Sequence, residues 1–124
     1  MQGTLTVTVV EARKLKNKDG LFGKNDAYVN LEVAKKKEKT NVIKNAGSKA
    51  FWDQTFTFPV PDDKAFLHIE VMDYDKISFN DLIGMVNVPL TSIKQFGMIE
   101  CWYPLINNGD YSGEINLFIR FSRS

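Results

Sequence analysis

Five aspartates carry the chemistry available to this sequence. Asp19 and Asp26 lie in one segment rich in Gly, Asn and Lys, residues 18–26. Asp73, Asp75 and Asp81 lie in a second, residues 73–81, with Ser78 among them. One loop aspartate is ordinarily a solvated turn-former, and a lone Asp-x-Asp pair arises by chance. Five on two segments predicted to be neighbours are different, because their charges repel and cost stability unless a cation sits among them. Calcium suits that position, since it takes about 6–8 oxygen ligands in flexible geometry. The two segments offer no thiol or imidazole, which disfavours a transition metal. Asp73 and Asp75 are two residues apart and face the same side of a strand end, from which Asp81 folds back over the ion.

The elements that must position these residues read as short strands. Threonine alternates with apolar residues over 4–9, the pattern of a half-buried strand. Residues 27–33 alternate likewise, with Val29, Leu31 and Val33 facing in. Further strands are expected over 39–43, 52–58, 66–72, 83–88, 101–105 and 114–121. Trp52, Gln54, Phe56 and Phe58 share one face, and Trp52 anchors the core. Residues 90–96 hold the one candidate helical turn, and Asn107-Asn108-Gly109-Asp110 is a tight turn before the last strand. Eight short strands joined by Gly, Asn, Asp and Pro segments predict an all-β fold, an eight-stranded antiparallel β-sandwich. Alternate connections of a sandwich emerge at one end. The two aspartate segments follow the first and fifth strands, so both belong at the same end, together with residues 44–51.

Composition narrows the function classes. At 124 residues the chain is read as one domain, 1–124, long enough to close a core unaided. A net charge of +1 leaves no global field to draw it to nucleic acid. Its one short basic run has no aromatic platform, so nucleic acid is discounted as a partner. Cys101 is the only cysteine and His68 the only histidine. That excludes an internal disulfide, fits a reducing cytoplasmic setting, and argues against a cysteine zinc site or a histidine triad. There is no secretory pattern and no stretch of spanning length, so any membrane is met from its surface.

Several runs of residues resemble the C2 domain family. Residues 3–15, Gly3-Thr4-Leu5-Thr6-Val7-Thr8-Val9 onward, resemble its opening strand. Lys18-Asp19-Gly20 through Asn25-Asp26-Ala27-Tyr28-Val29 resembles the first calcium loop. Phe51-Trp52-Asp53-Gln54-Thr55-Phe56 matches the middle of the pattern. Val71-Met72-Asp73-Tyr74-Asp75 through Asn80-Asp81-Leu82-Ile83-Gly84 resembles the third calcium loop and is the most specific part. The resemblance implies that Asp19 and Asp26 are first-loop ligands and that Asp73, Asp75 and Asp81 are third-loop ligands, with Asp75 shared between ions. It adds the carbonyls of Lys18 and Tyr74, and the Ser78 hydroxyl for an additional ion, hence two Ca2+ ions or three. The chain departs from the family pattern in a first loop one residue longer, in Ala27 for the usual Pro, and in Lys49-Ala50 for the usual Asn-Pro; none of these removes a carboxylate. The strand order suggests the permuted, type II topology.

The same resemblance implies a function, calcium-dependent attachment to acidic phospholipid of the phosphatidylserine type. About five negative charges at the end are offset by about four positive ones on binding two ions. Leu21, Phe22, Ile77 and Phe79 are the loop residues expected to enter the membrane, and Lys24 and Lys76 to meet headgroup phosphates. The lysine run 35–39 reads as a solvated hairpin turn rather than a phosphoinositide site, since the adjoining strand supplies Asn30 and Glu32. Paired acids also serve glycoside hydrolysis, but acids on loop tips lack a cleft, so no enzyme activity is expected. The rival reading is a calcium-independent protein-interaction module of the same fold. The expected form is a monomer in the cytoplasm, recruited to the inner face of the plasma membrane or other acidic membranes when calcium rises, and it suits the N-terminal, membrane-targeting domain of a larger signalling protein.

Overall fold

The computed structural model describes residues 3–17, 24–61, 65–77 and 79–123. Eight antiparallel strands run through them: β1 (Gly3–Arg13), β2 (Ala27–Val33), β3 (Lys36–Lys39), β4 (Ala50–Val60), β5 (Phe66–Asp73), β6 (Asp81–Pro89), β7 (Met98–Asn107) and β8 (Asp110–Arg123). One short helix, α1 (Thr91–Phe96), links β6 to β7. The hydrogen-bonded order is β3-β2-β5-β6-β7-β8-β1-β4. β6 meets β7 through the single residue pair Met85 and Ile106, so the ribbon folds there into two four-stranded layers. The first residue of β1 lies beside the last of β8, Gly3 opposite Arg123.

The strands form because their sequences alternate and one face of each layer is buried. Leu5, Val7 and Val9 of β1 meet Leu117, Ile119 and Phe121 of β8 in register, all buried. Strict alternation beyond Val9 would turn Glu11 inward. An extra residue between Val9 and Glu11 shifts the register against both neighbours, and Ala12 enters the core instead. That is a β-bulge, and it keeps a carboxylate out of apolar surroundings. Trp52 is buried, and its indole N–H donates to the carbonyl oxygens of Asn41 at 3.0 Å and Ala27 at 3.3 Å, tying β4 to the edge of the other layer. The turn at 107–110 has positive φ at both Asn108 and Gly109, the two-residue hairpin geometry that Asn-Gly favours.

The third strand falls elsewhere than expected. It occupies Lys36–Lys39, not 39–43, and the turn preceding it is Ala34-Lys35, with Ala34 at φ 51. The lysine run is therefore an edge strand rather than a hairpin turn. Ile43 makes only an isolated bridge to Ala27. A short charged edge strand resists pairing with another sheet. Its outward lysines do face the residues read from the sequence, Lys37 opposite Glu32 and Lys39 opposite Asn30.

Candidate metal centre

Registers place three of the aspartates abreast. Asp26 immediately precedes β2, whose first residue, Ala27, pairs with Asp73 at the end of β5. Asp73 in turn pairs with Asp81, the first residue of β6. An extra residue on β6, between the partners of Val71 and Met72, brings Asp81 into line. The following Gly84 permits close packing here: a Cβ on it would collide with Ser112 Oγ and stand 2.8 Å from Leu105 Cβ. So the glycine that ends the third-loop pattern is there because two strands approach it.

Asp26 and Asp73 are joined directly. The Asp26 N–H donates to Asp73 Oδ1 at 2.8 Å, and the Tyr74 N–H donates to the Asp26 carbonyl at 2.8 Å. Asp73 is only 3% exposed, unusual for a carboxylate. Asp26 Oδ1 also accepts the Asn45 N–H at 2.8 Å, which fixes the turn before β4 to the same point. Asp75 and Asp81 are exposed. Asp75 Oδ1 accepts the Ile77 N–H, and the Asp75 N–H donates to Asn80 Oδ1, both at 2.8 Å. Asn80 reaches back through Nδ2 to the Tyr28 hydroxyl at 2.8 Å. Beyond this frame stand Ile77 and Phe79, 96% and 92% exposed, with Lys76 also exposed.

The donors at this end are carboxylate and carbonyl oxygens, the set a hard cation prefers. His68 and Cys101 are elsewhere, on the outer face of β5 and on β7. Among the described residues, no three acidic, imidazole or thiol groups converge closely enough to hold an ion. Asp26, Asp73 and Asp75 each turn one oxygen to a backbone N–H instead. Carboxylate and carbonyl oxygens are the donors calcium takes. Lys18, Asp19, Leu21, Phe22 and Ser78 lie outside the described residues.

One residue of this end escaped the sequence reading. Asn25 is fully buried, and its Nδ2 donates to the carbonyls of Lys16 at 2.8 Å and Gly47 at 3.0 Å. Its own carbonyl accepts the Ala46 N–H at 2.8 Å. The three segments at 14–16, 24–26 and 44–49 therefore meet at one amide. Only its neighbour Asp26 signalled a site.

Eight strands in this order, with aspartates at one end, define the class. The family model described as "C2 domain" matches residues 3–105, and the chain belongs to that family as a membrane- or lipid-binding module. Among its relatives, Elicitor-responsive protein 3 of Oryza sativa subsp. japonica is 32% identical over 98% of this chain and 85% of its own length. A solved C2 domain-containing protein from a putative elicitor-responsive gene superposes with a TM-score of 0.85, at 31% identity, over 99% of this chain and 90% of that one. The tandem C2 domains of Extended-Synaptotagmin 2, solved calcium bound, share the fold with a TM-score of 0.85 at 24% identity, over 96% of this chain and 45% of that one. No described helix is long and apolar enough to cross a membrane.

Proposed function

We propose that this C2 domain attaches to acidic phospholipid membranes, of the phosphatidylserine type, when calcium binds at the aspartate end. The observation that carries the reading is the placement of Asp26, Asp73 and Asp81 side by side, Asp26 bonded through its N–H to Asp73 and Asp73 paired with Asp81, with Ile77 and Phe79 almost wholly exposed just beyond them. Asp19, Asp26, Asp73, Asp75 and Asp81 are the proposed ligands, with the carbonyls of Lys18 and Tyr74, for two ions. Ser78 would serve a third. Calcium supplies positive charge among these carboxylates and open positions for lipid oxygens. Ile77 and Phe79, with Leu21 and Phe22, enter the lipid; each contributes about 1.5–3 kcal/mol if fully buried, and less at the interface. Lys24 and Lys76 meet headgroup phosphates. The setting is cytoplasmic, at the inner face of the plasma membrane.

Co-sedimentation with phosphatidylserine vesicles tests this, with calcium and with chelator, on wild type and Asp75→Asn/Asp81→Asn. These two carboxylates are exposed, so their loss leaves the fold intact. Pelleting that requires calcium and is lost in the variant is the expected result. Pelleting in calcium that is the same in the variant would remove these carboxylates from the mechanism. No pelleting in any condition would favour the protein-interaction reading.

A further inference from the structure

Three of the proposed ligands are held by the strand ladder, and a fourth, Asp75, is not. Asp26 is bonded to Asp73, and Asp73 pairs with Asp81 across β5 and β6. Asp75 lies past the end of β5, in the segment 74–80 that leads to β6. Its place therefore depends on bonds made by that segment. Two described bonds tie the segment to β2 and its approach. The Tyr74 N–H donates to the Asp26 carbonyl, and Asn80 Nδ2 donates to the Tyr28 hydroxyl, both at 2.8 Å. Two more lie within it: the Asp75 N–H donates to Asn80 Oδ1, and the Ile77 N–H to Asp75 Oδ1, again at 2.8 Å. Asn80 belongs to both sets, so one amide joins the Asp75 main chain to Tyr28. Tyr28 is itself fixed, opposite Met72 in the ladder and only 8% exposed. Asn80 thus has one aspartate bonded to it and another, Asp81, next to it in the chain.

We propose that Asn80, anchored by the Tyr28 hydroxyl, is a positioning residue that sets the calcium affinity by holding Asp75 beside the other carboxylates. This rests on the calcium reading above and names two residues that it does not count as ligands. An ion shared among these carboxylates is bound only while Asp75 stands with them, and apparent affinity falls in proportion to the time it spends elsewhere. A segment tethered at one end wanders more than one tethered at both. The Tyr74 bond tethers the near end of 74–80, and the Asn80 bond tethers the far end. Tyr28 acts only through Asn80, because its hydroxyl reaches Asp75 by way of that amide. An outer partner that orients a ligand is worth about 10–100-fold in metal affinity. The exposure of the Asn80 amide, where water competes, puts it at the lower end of that range.

The test is calcium titration by calorimetry, without lipid, on wild type, Asn80→Ala, Tyr28→Phe and the double variant. Circular dichroism in chelator confirms that each is folded. Asn80→Ala should weaken calcium binding about tenfold. Tyr28→Phe removes a single uncharged hydrogen bond and should weaken it about threefold. The double variant should bind as Asn80→Ala does, because the tyrosine has nothing left to act through. Two residues that merely stabilise the fold would instead give losses that multiply. Asn80→Ala binding calcium as tightly as wild type, or a double variant whose loss is the product of the single ones, overturns the proposal while wild type still binds. A wild type that takes up no calcium overturns the calcium reading and this proposal together, so the two failures are told apart by the wild-type titration alone.

Discussion

Two regions of the same end are built in opposite ways. The segments at 14–16, 24–26 and 44–49 converge on Asn25, an amide with no exposure that holds two carbonyls and is itself held by Ala46. The loop at 74–80 is framed by Asn80, an exposed amide that bonds Asp75 N–H and the Tyr28 hydroxyl. Both use an asparagine, and water decides the difference. A buried amide that loses its partners leaves unsatisfied groups in the interior, whereas an exposed one exchanges them for water. The first region is therefore costly to rearrange, and the second can rearrange at less cost.

The largest effect should come from breaking the fixed region. Asn25→Ala strands the carbonyls of Lys16 and Gly47, and urea unfolding should show a loss of about 2–4 kcal/mol. Next is the apolar tip. Phe79→Ser should leave the unfolding midpoint unchanged yet weaken calcium-dependent vesicle attachment by about 1–2 kcal/mol, part of the value for full burial. Asn80→Ala should cost only about 0.5–1 kcal/mol in the same urea experiment. If it costs as much as Asn25→Ala, the contrast between the regions is wrong.

The smallest effect lies outside both regions, at His68. Its partial burial alone would depress the imidazole pKa. Hydrogen bonds to Asn87 and Glu70, with the charges of Glu70 and Glu32, outweigh this and raise it above the usual value. A raised pKa stabilises the fold below the unfolded value, about 6.5. That contribution disappears as pH rises through the folded value. His68→Gln should flatten a slight gain in stability on going from neutral to mildly acidic pH, and a steeper gain in the variant would contradict the sign.

What could be read from the sequence, and what could not, divides along the same line. Alternation carries burial, so β1, β2, β5 and β8 were legible from Val7, Leu31, Ile69 and Ile119, each of which points to the core. The shared end for Asp26, Asp73 and Asp81 followed from counting connections. The bulge after Val9 was not legible, because only pairing partners reveal an extra residue. β3 was misplaced because Lys36–Lys39 has no apolar alternation to mark it. Asn25 was missed for a similar reason: its partners are main-chain carbonyls, which leave no mark on side-chain pattern. The bonds from Asn45 and Ile77 that engage Asp26 and Asp75 were equally hidden, since they come from backbone N–H groups.

The adjacency of Gly3 and Arg123 has a consequence for anything joined to this domain. Both strand ends open at the pole remote from the aspartates, while β1 runs the length of the body in 11 residues. At about 3.3 Å per residue, polypeptide attached at either place would lie roughly 35 Å from the aspartate end. Gly3 and Arg123 on neighbouring strands would also let the module be spliced into a loop of a host protein while the two host segments that flank it stay close together.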